Sequence, residues 1–163
     1  PSSTESNVQT ISSTTSSESS HRDVQTSRIA SPDQQNSFEI TDAGGHLRYT
    51  IRRGDDVLVD NSRLGLRFLN AHGFDENLRL LGFETSSRNE VWEQPWGERR
   101  NVRDHHNELL IQAERVSPSL KINIRVRAFD DGIGFRYEVP EQAGLGEWVG
   151  GGVEVNRGFF LVG

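Results

Sequence analysis

The residues best suited to chemistry are concentrated in residues 91–108. This segment contains two tryptophans, Trp92 and Trp96, together with carboxylates, arginines and a His-His-Asn run. Indole and guanidinium groups bury flat surface while keeping a polar end available, and carboxylates and amides bind hydroxyl groups. These types suit a polyhydroxylated ligand, so the segment is predicted to be a sugar-facing loop between two strand-like regions.

A second interpretation of the same segment is structural. Tryptophan is mostly a packing residue, and residues 91–108 could form a buried aromatic loop that closes the end of a β-sandwich, with the polar groups capping its backbone. Residue types alone leave both interpretations open.

Three arrangements that could carry catalysis or a metal ion find little support. His105 and His106 are adjacent, and neighbours on a strand point to opposite faces, so they are poorly placed to bind one metal together. Glu93 and Glu98 are close in sequence, which does not establish the separated carboxylates of a glycosidase. Residues 130–132 lack the alternating oxygen ligands of a calcium loop and are predicted to be a turn. We assign no catalytic residue and no metal ligand.

Alternation of apolar and polar residues predicts about eight short strands and no long helix. The clearest strand spans residues 120–128, and a hairpin is predicted over residues 38–52 with its turn at residues 42–45. Residues 78–85 could form a helix or a strand, and the surrounding strands favour a strand. The predicted class is all-β, an antiparallel sandwich that forms part of a larger super-sandwich, with a disordered N-terminal tail.

Composition divides the chain into three parts. Residues 1–37 contain 12 Ser and 5 Thr and no aromatic residue, so they are predicted to be a disordered tail or linker. Residues 38–148 form the predicted sandwich domain. Residues 149–163 are a glycine-rich end with an apolar patch at residues 159–162 that has no visible partner, which indicates a truncation.

Charge and composition exclude several classes of partner. A net charge of −6 argues against nucleic acid, whose phosphates need a clustered positive field. No apolar run is long enough to span a membrane, and the absence of cysteine excludes a disulfide framework.

Four separated motifs are similar to one known family. They are WEQPWGE at residues 92–98, VRDHHNEL at 102–109, FDDGIGFRYE at 129–138 and PEQ at 140–142, with shorter runs at 62–66 and 81–83. In this order they resemble the N-terminal domain of glycoside hydrolase family 97, over about residues 38–148.

The resemblance implies a fold and a function. Members of that family are α-glucosidases or α-galactosidases, and their N-terminal β-sandwich packs on a catalytic (β/α)₈ barrel and helps to shape its pocket. The catalytic carboxylates belong to the barrel, and calcium near the active site is bound mainly by glutamates of later parts of the protein. We therefore expect this chain to be non-catalytic and to hold no cofactor itself, with calcium implied for the full-length enzyme.

The resemblance also implies the partners and the site. We expect an α-linked oligosaccharide and the catalytic barrel of the same polypeptide as partners, in a periplasmic or secreted parent protein. The residues expected nearest the pocket or the interface with the barrel are Trp92, Trp96, Glu98, Arg103, His105 and Asn107. The alternative is a free-standing β-sandwich that acts as a binding or interaction module.

Overall fold

The computed structural model describes residues 24–68, 71–93, 101–142 and 160–162. These residues form eleven strands and no helix. The strands are β1 (Thr26–Ala30), β2 (Asn36–Asp42), β3 (Leu47–Arg53), β4 (Asp56–Leu64), β5 (Leu66–Phe68), β6 (Ala71–Phe74), β7 (Leu78–Glu93), β8 (Asn101–Arg115), β9 (Leu120–Phe129), β10 (Gly132–Glu138) and β11 (Phe160–Val162).

The first sheet is an antiparallel meander in the order β1-β2-β3-β4. Its β2–β3 hairpin turns through Gly44 and Gly45, whose φ angles of 65° and 89° suit glycine. The side chain of Asp42 accepts a hydrogen bond from the amide of Gly45 at 3.2 Å. The predicted hairpin and its turn are therefore confirmed.

The second sheet has five strands in the order β11-β10-β9-β8-β7, and its described pairs are antiparallel. Strand β9 shows the alternation expected from its sequence, since every second residue from Leu120 to Ala128 is buried. Of the turn predicted at residues 130–132, residues 130–131 join β9 to β10, and Gly132 is the first residue of β10, opposite Phe129. A short antiparallel pair, β5-β6, lies along the chain between the last strand of the first sheet and the first strand of the second.

The two larger sheets bury one continuous core. Phe38, Ile40 and Ile51 come from the first sheet, and Ile111 and Ile124 from the second, and each is at most 1% exposed. Aromatic contacts join the sheets directly, with the ring centroids of Phe38 and Phe135 6.2 Å apart. The predicted all-β antiparallel sandwich is confirmed.

The predicted tail boundary at residue 38 falls inside the first sheet. Strand β1 pairs with β2 from Thr26 to Ala30, and Ile29 is buried in the core. An edge strand needs few apolar residues because most of its stability comes from pairing and from one buried side chain. Residues 1–23 lie outside the described residues, so the remainder of the predicted tail stays a prediction.

The apolar patch near the end of the chain has a partner. Strand β11 pairs with β10, with Ile133 opposite Val162 and Phe135 opposite Phe160. The pairing could not be foreseen because the glycine-rich residues that precede the patch carry no periodic signal. Residues 143–159 and 163 lie outside the described residues.

Candidate functional site

The predicted sugar-facing segment is mostly strand. Strands β7 and β8 pair continuously from Leu78 opposite Arg115 to Glu93 opposite Asn101. The prediction of one loop over residues 91–108 is therefore wrong for residues 91–93 and 101–108, which are strand, while residues 94–100 lie outside the described residues. Hydrophobic periodicity gives no signal here because polar residues occupy both faces of this part of the hairpin.

The end of this hairpin extends beyond the rest of the sheet. The pairing between β8 and β9 ends with His106 opposite Phe129, so among the described residues 101–105 pair only with residues 89–93. We call these two stretches the β7–β8 arm. Val91 on the arm is 64% exposed. Two-stranded ribbons are weakly stable alone, so the arm is suited to packing against further structure.

Three of the predicted site residues share one face of β8. Arg103 is exposed, and its Nε donates to Oδ1 of Asn89 at 3.1 Å. Nδ1 of His105 lies 3.9 Å from Oδ2 of Asp130. Alternate residues of a strand share a face, so the structure brings Arg103, His105 and Asn107 together as a row.

Asn107 connects the two sheets. Its Nδ2 donates to the carbonyl of Ala30 at 2.8 Å, and its Oδ1 accepts a hydrogen bond from Ser87 at 2.7 Å. Asn107 also lines a hollow of about 440 Å³ between β1 and the β7–β8 hairpin. Its amide is therefore committed to structure, although it borders a cavity.

The remaining predicted residues belong to the end of the same hairpin in sequence. Trp92 pairs with Val102 in the backbone ladder, and Trp96 and Glu98 lie outside the described residues. His105 and His106 lie next to each other on a strand and therefore point to opposite faces, as expected. No group of three or more metal-ligating side chains occurs among the residues described by the structure.

The outer face of the five-stranded sheet carries a charged network that was not predicted from the sequence. Arg125 donates from Nε to Oε1 of Glu138 at 2.9 Å and also donates to Glu108. Nε of Arg127 donates to Oε2 of Glu108 at 2.7 Å, and Nε of Arg136 donates to Oε1 of Glu138 at 2.7 Å. We call these five residues the arginine–glutamate ladder. In the sequence they were indistinguishable from the polar positions of a solvated sheet face.

The ladder fixes the ionisation of its carboxylates. Burial opposes ionisation of Glu108, but hydrogen bonds from Arg127 and Arg125 outweigh it and hold the pKa below its ordinary value. The hydrogen bond from Arg125 likewise lowers the pKa of Glu138, against a smaller effect of burial. Both glutamates are therefore anionic acceptors at neutral pH.

A buried histidine lies beside the ladder. His106 is 2% exposed, its Nδ1 lies 2.6 Å from Oδ1 of Asp104, and its ring packs against Phe129 with centroids 4.9 Å apart. This contact holds the Phe129 ring at one end of the outer face. A hollow of about 330 Å³ opens next to it. Its lining includes Arg125, Arg127, Phe129, Asp131, Gly134 and Arg136.

The described residues contain no helix that could cross a membrane.

Comparison with known proteins relates this chain to one family. Residues 29–157 match the family model described as Glycosyl-hydrolase 97 N-terminal. The match begins before residue 38 and ends after residue 148, the bounds predicted from the sequence. Residues 29–37 of the predicted tail and residues 149–157 of the predicted glycine-rich end thus fall within the family match.

Solved structures give the same result. A Glycoside Hydrolase Family 97 enzyme from Pseudoalteromonas sp. strain K8 is 37% identical over 73% of this chain, with a TM-score of 0.69 for its complexes with panose and with acarbose. A beta-arabinopyranosidase is 23% identical over 72% of the chain, with a TM-score of 0.64, and shares the fold. The chain spans 18% of the length of the Pseudoalteromonas enzyme. From the extent of the family match and the identity to this enzyme, the chain belongs to the N-terminal domain family of glycoside hydrolase family 97.

Proposed function

We propose that this chain is the non-catalytic N-terminal domain of a glycoside hydrolase that acts on α-linked glucosides or galactosides. The observation that carries the proposal is the 37% identity to a family 97 enzyme whose structures include complexes with panose and acarbose. The chain spans 18% of that enzyme's length, which supports the proposal that the catalytic carboxylates belong to a barrel outside this chain.

The proposed role of the domain is to bind carbohydrate and to shape the pocket of that barrel. The β7–β8 arm supports this role, because it projects past the sheet and carries Arg103 on an exposed face. The terminal amino groups of Arg103 have no partner among the described residues, so they are available to a ligand or to the barrel. His105 lies on the same face. We place Trp92, Trp96 and Glu98, which belong to the same hairpin in sequence, near this surface.

Calcium is implied for the full-length enzyme by the resemblance to family 97. The described carboxylates and histidines form no cluster with enough ligands for a metal ion, and the glutamates of the ladder are occupied by arginines. We propose, as the resemblance to family 97 implies, that calcium is bound by residues of the full-length enzyme outside this chain. We further propose that the enzyme works in the periplasm or outside the cell.

The test is hydrolysis by the full-length enzyme. Nitrophenyl α-glucoside and nitrophenyl α-galactoside are the substrates, and release of nitrophenol from one of them is the expected result. Absence of hydrolysis of both would overturn the assignment.

A pair of variants tests the contribution of the arm. Arg103→Ala should lower kcat/KM about tenfold, because a charge-assisted contact is lost. Arg88→Ala is the matched control, because Arg88 is also exposed on this hairpin but lies on its other face, where it pairs with Glu90 at 2.7 Å. Equal effects of the two substitutions would contradict a role for the arm in the pocket.

A further inference from the structure

The hollow on the outer face of the five-stranded sheet has a glycine as its floor. Gly134 of β10 lies opposite Arg127 of β9 in the backbone pairing. Arg136 follows two residues later on the same face of β10. A Cβ built on Gly134 would meet no atom within 4 Å among the described residues. The absence of a side chain at this position is therefore what leaves the hollow open between the arginines.

The arginines around this floor are held rigidly. Arg125 is fixed between Glu108 and Glu138, and 25% of its side chain is exposed. Arg127 is fixed through its Nε, and Arg136 through its Nε and one terminal amino group. Planar groups held by carboxylates lose little entropy when they bind a ligand.

Donor groups remain available above the floor. The terminal amino groups of Arg127 and one terminal amino group of Arg136 have no partner among the residues that the structure describes. Asp131, at the turn, supplies a carboxylate that is exposed to solvent. The ring of Phe129 and the methylene stems of the arginines add apolar surface.

The charges around the hollow are matched. The guanidinium groups of Arg125, Arg127 and Arg136 are paired with the carboxylates of Glu108 and Glu138, and the carboxylate of Asp131 in the lining makes the numbers of positive and negative charges equal. An anion would find no excess positive charge here, and an apolar group would leave the remaining donors without partners. A neutral ligand with several hydroxyl groups and an apolar C–H face satisfies both conditions. The volume of about 330 Å³ lies within the range of roughly 300–1,000 Å³ that is usual for small-ligand pockets.

We propose that the hollow above Gly134 binds a sugar ring of a neutral α-linked oligosaccharide. The terminal amino groups of Arg127 and Arg136 donate to sugar hydroxyls, Asp131 accepts from one, and Phe129 supports the C–H face of the ring. The ligand class rests on the proposed function, whereas the location of the site rests on the geometry of the outer face.

The test uses the full-length enzyme and soluble starch as the probe. Electrophoresis in native gels that contain starch gives an apparent affinity from the retardation of the band. Gly134→Val places a branched side chain on the floor of the hollow, where a Cβ meets no atom within 4 Å among the described residues, and should weaken this affinity about tenfold or more. Gly82→Val is the matched control, because Gly82 lies in the same sheet away from the hollow and its Cβ would come only within 3.6 Å of the Gln112 side chain. It should bind starch as the wild type does.

A second variant distinguishes a loss of starch binding from misfolding of Gly134→Val. Arg127→Lys keeps a positive charge beside Glu108 but removes the planar fork, and it should also weaken retardation. Starch affinity of Gly134→Val equal to that of the wild type would overturn the proposal, as would a wild-type band that starch does not retard. A drop in thermal stability for Gly134→Val much larger than for Gly82→Val would mean that protein fills the hollow, which also overturns it. Thermal stabilisation of the wild type by sulfate but not by starch would indicate that the hollow binds an anion, and would overturn the proposal of a sugar ligand.

Hydrolysis of nitrophenyl α-glucoside by the wild type separates this inference from the proposed function. If the wild type hydrolyses the glucoside and Gly134→Val keeps full starch affinity, the proposed function is supported and the proposed sugar site above Gly134 is wrong. If the wild type hydrolyses no α-glycoside but Gly134→Val weakens starch affinity, the proposed activity is wrong and the proposed sugar site is supported.

Discussion

The hydroxyl of Tyr137 forms two hydrogen bonds with the backbone of Gly65. It accepts from the Gly65 amide at 3.1 Å and donates to the Gly65 carbonyl at 3.3 Å. Tyr137 belongs to the five-stranded sheet, and Gly65 lies between β4 and β5, so one phenol joins parts of the chain that are distant in sequence. Burial raises the pKa of Tyr137 to about 12, against a smaller opposing effect of the Gly65 hydrogen bond.

Tyr137→Phe should lower the free energy of unfolding by about 1–2 kcal/mol, because both backbone groups of Gly65 lose a partner. Urea unfolding measures the change. Tyr49→Phe is the control, since the Tyr49 ring packs against Phe38 and its hydroxyl has no hydrogen bond among the described residues. Equal losses for the two variants would mean that the Tyr137 hydroxyl adds nothing to its ring.

The raised pKa of Tyr137 also predicts a dependence on alkaline pH. The folded state favours the neutral phenol, so this contribution to stability is complete below the unfolded pKa of 10.0 and is lost as pH rises through about 12. The wild type should therefore lose more stability over this range than Tyr137→Phe. Chemical denaturation at successive pH values measures the difference, and parallel curves for the two proteins would contradict the assignment.

Gly65 is also fixed by lack of space. A Cβ at this position would lie 2.6 Å from the carbonyl oxygen of Phe74 and 2.8 Å from Cα of Asp75, both backbone atoms. Gly65→Ala should cost about 1–3 kcal/mol, because the strands must move apart. Gly82→Ala, whose nearest contact would be a side-chain atom at 3.6 Å, should change stability by much less in the same thermal unfolding experiment. Similar melting temperatures for the two variants would exclude a steric role for Gly65.

The arginine–glutamate ladder predicts a dependence on acidic pH. The pKa values of Glu108 and Glu138 are lowered in the folded protein, so their stabilising effect is present above the ordinary value of 4.5 and is lost as pH falls through the folded-state pKa. Glu108→Gln should lose about 1–3 kcal/mol near neutral pH and show a shallower loss of melting temperature on acidification. Glu39→Gln, at an exposed position with no partner among the described residues, is the control. An acid profile of Glu108→Gln that matches the wild type would argue against the ladder.

Sequence periodicity was sufficient for the fold class and for the central strands. Strand β9 buries every second residue, which is the arrangement that its alternating apolar positions require. Residues 78–85 form a strand as predicted, but β7 continues through polar residues to Glu93. These residues are strand because they pair with β8, and pairing between distant segments cannot be read from local pattern.

The site could be predicted only in part. Arg103, His105 and Asn107 lie in a row on one face, although Asn107 is committed to the carbonyl of Ala30. The hollow above Gly134 was not foreseen, because charged residues at alternate positions indicate a solvated face and their mutual pairing depends on register across three strands. The resemblance to family 97, carried by the motifs, was confirmed by the comparison over a longer stretch.

The start of the folded domain can be tested directly, because the sequence predicts it at residue 38 and the structure has its first strand at Thr26–Ala30. Asn36 is 2% exposed, and its Nδ2 donates to the carbonyls of Phe129 and Asp130, each at 3.0 Å. Asn36→Leu should cost about 1–3 kcal/mol, because two carbonyls lose their donor and an apolar group takes its place. Gln35→Ala changes an exposed neighbour and should have little effect on urea unfolding. Full stability of Asn36→Leu would restore the predicted boundary at residue 38 as the start of the stabilising structure.

Trp96 connects the proposed function to a measurable property of the full-length enzyme. If the segment between the two strands of the β7–β8 arm shapes the pocket, Trp96→Ala removes a large aromatic surface and should raise KM or lower stability. Loss of a buried or stacked aromatic side chain costs about 1–3 kcal/mol, which corresponds to about 5- to 150-fold in affinity. Trp96→Phe keeps an aromatic ring and should retain most of the affinity. Steady-state kinetics with an α-linked oligosaccharide and thermal unfolding should be measured on both variants, because unchanged kinetics and stability in Trp96→Ala would leave this segment without a central role.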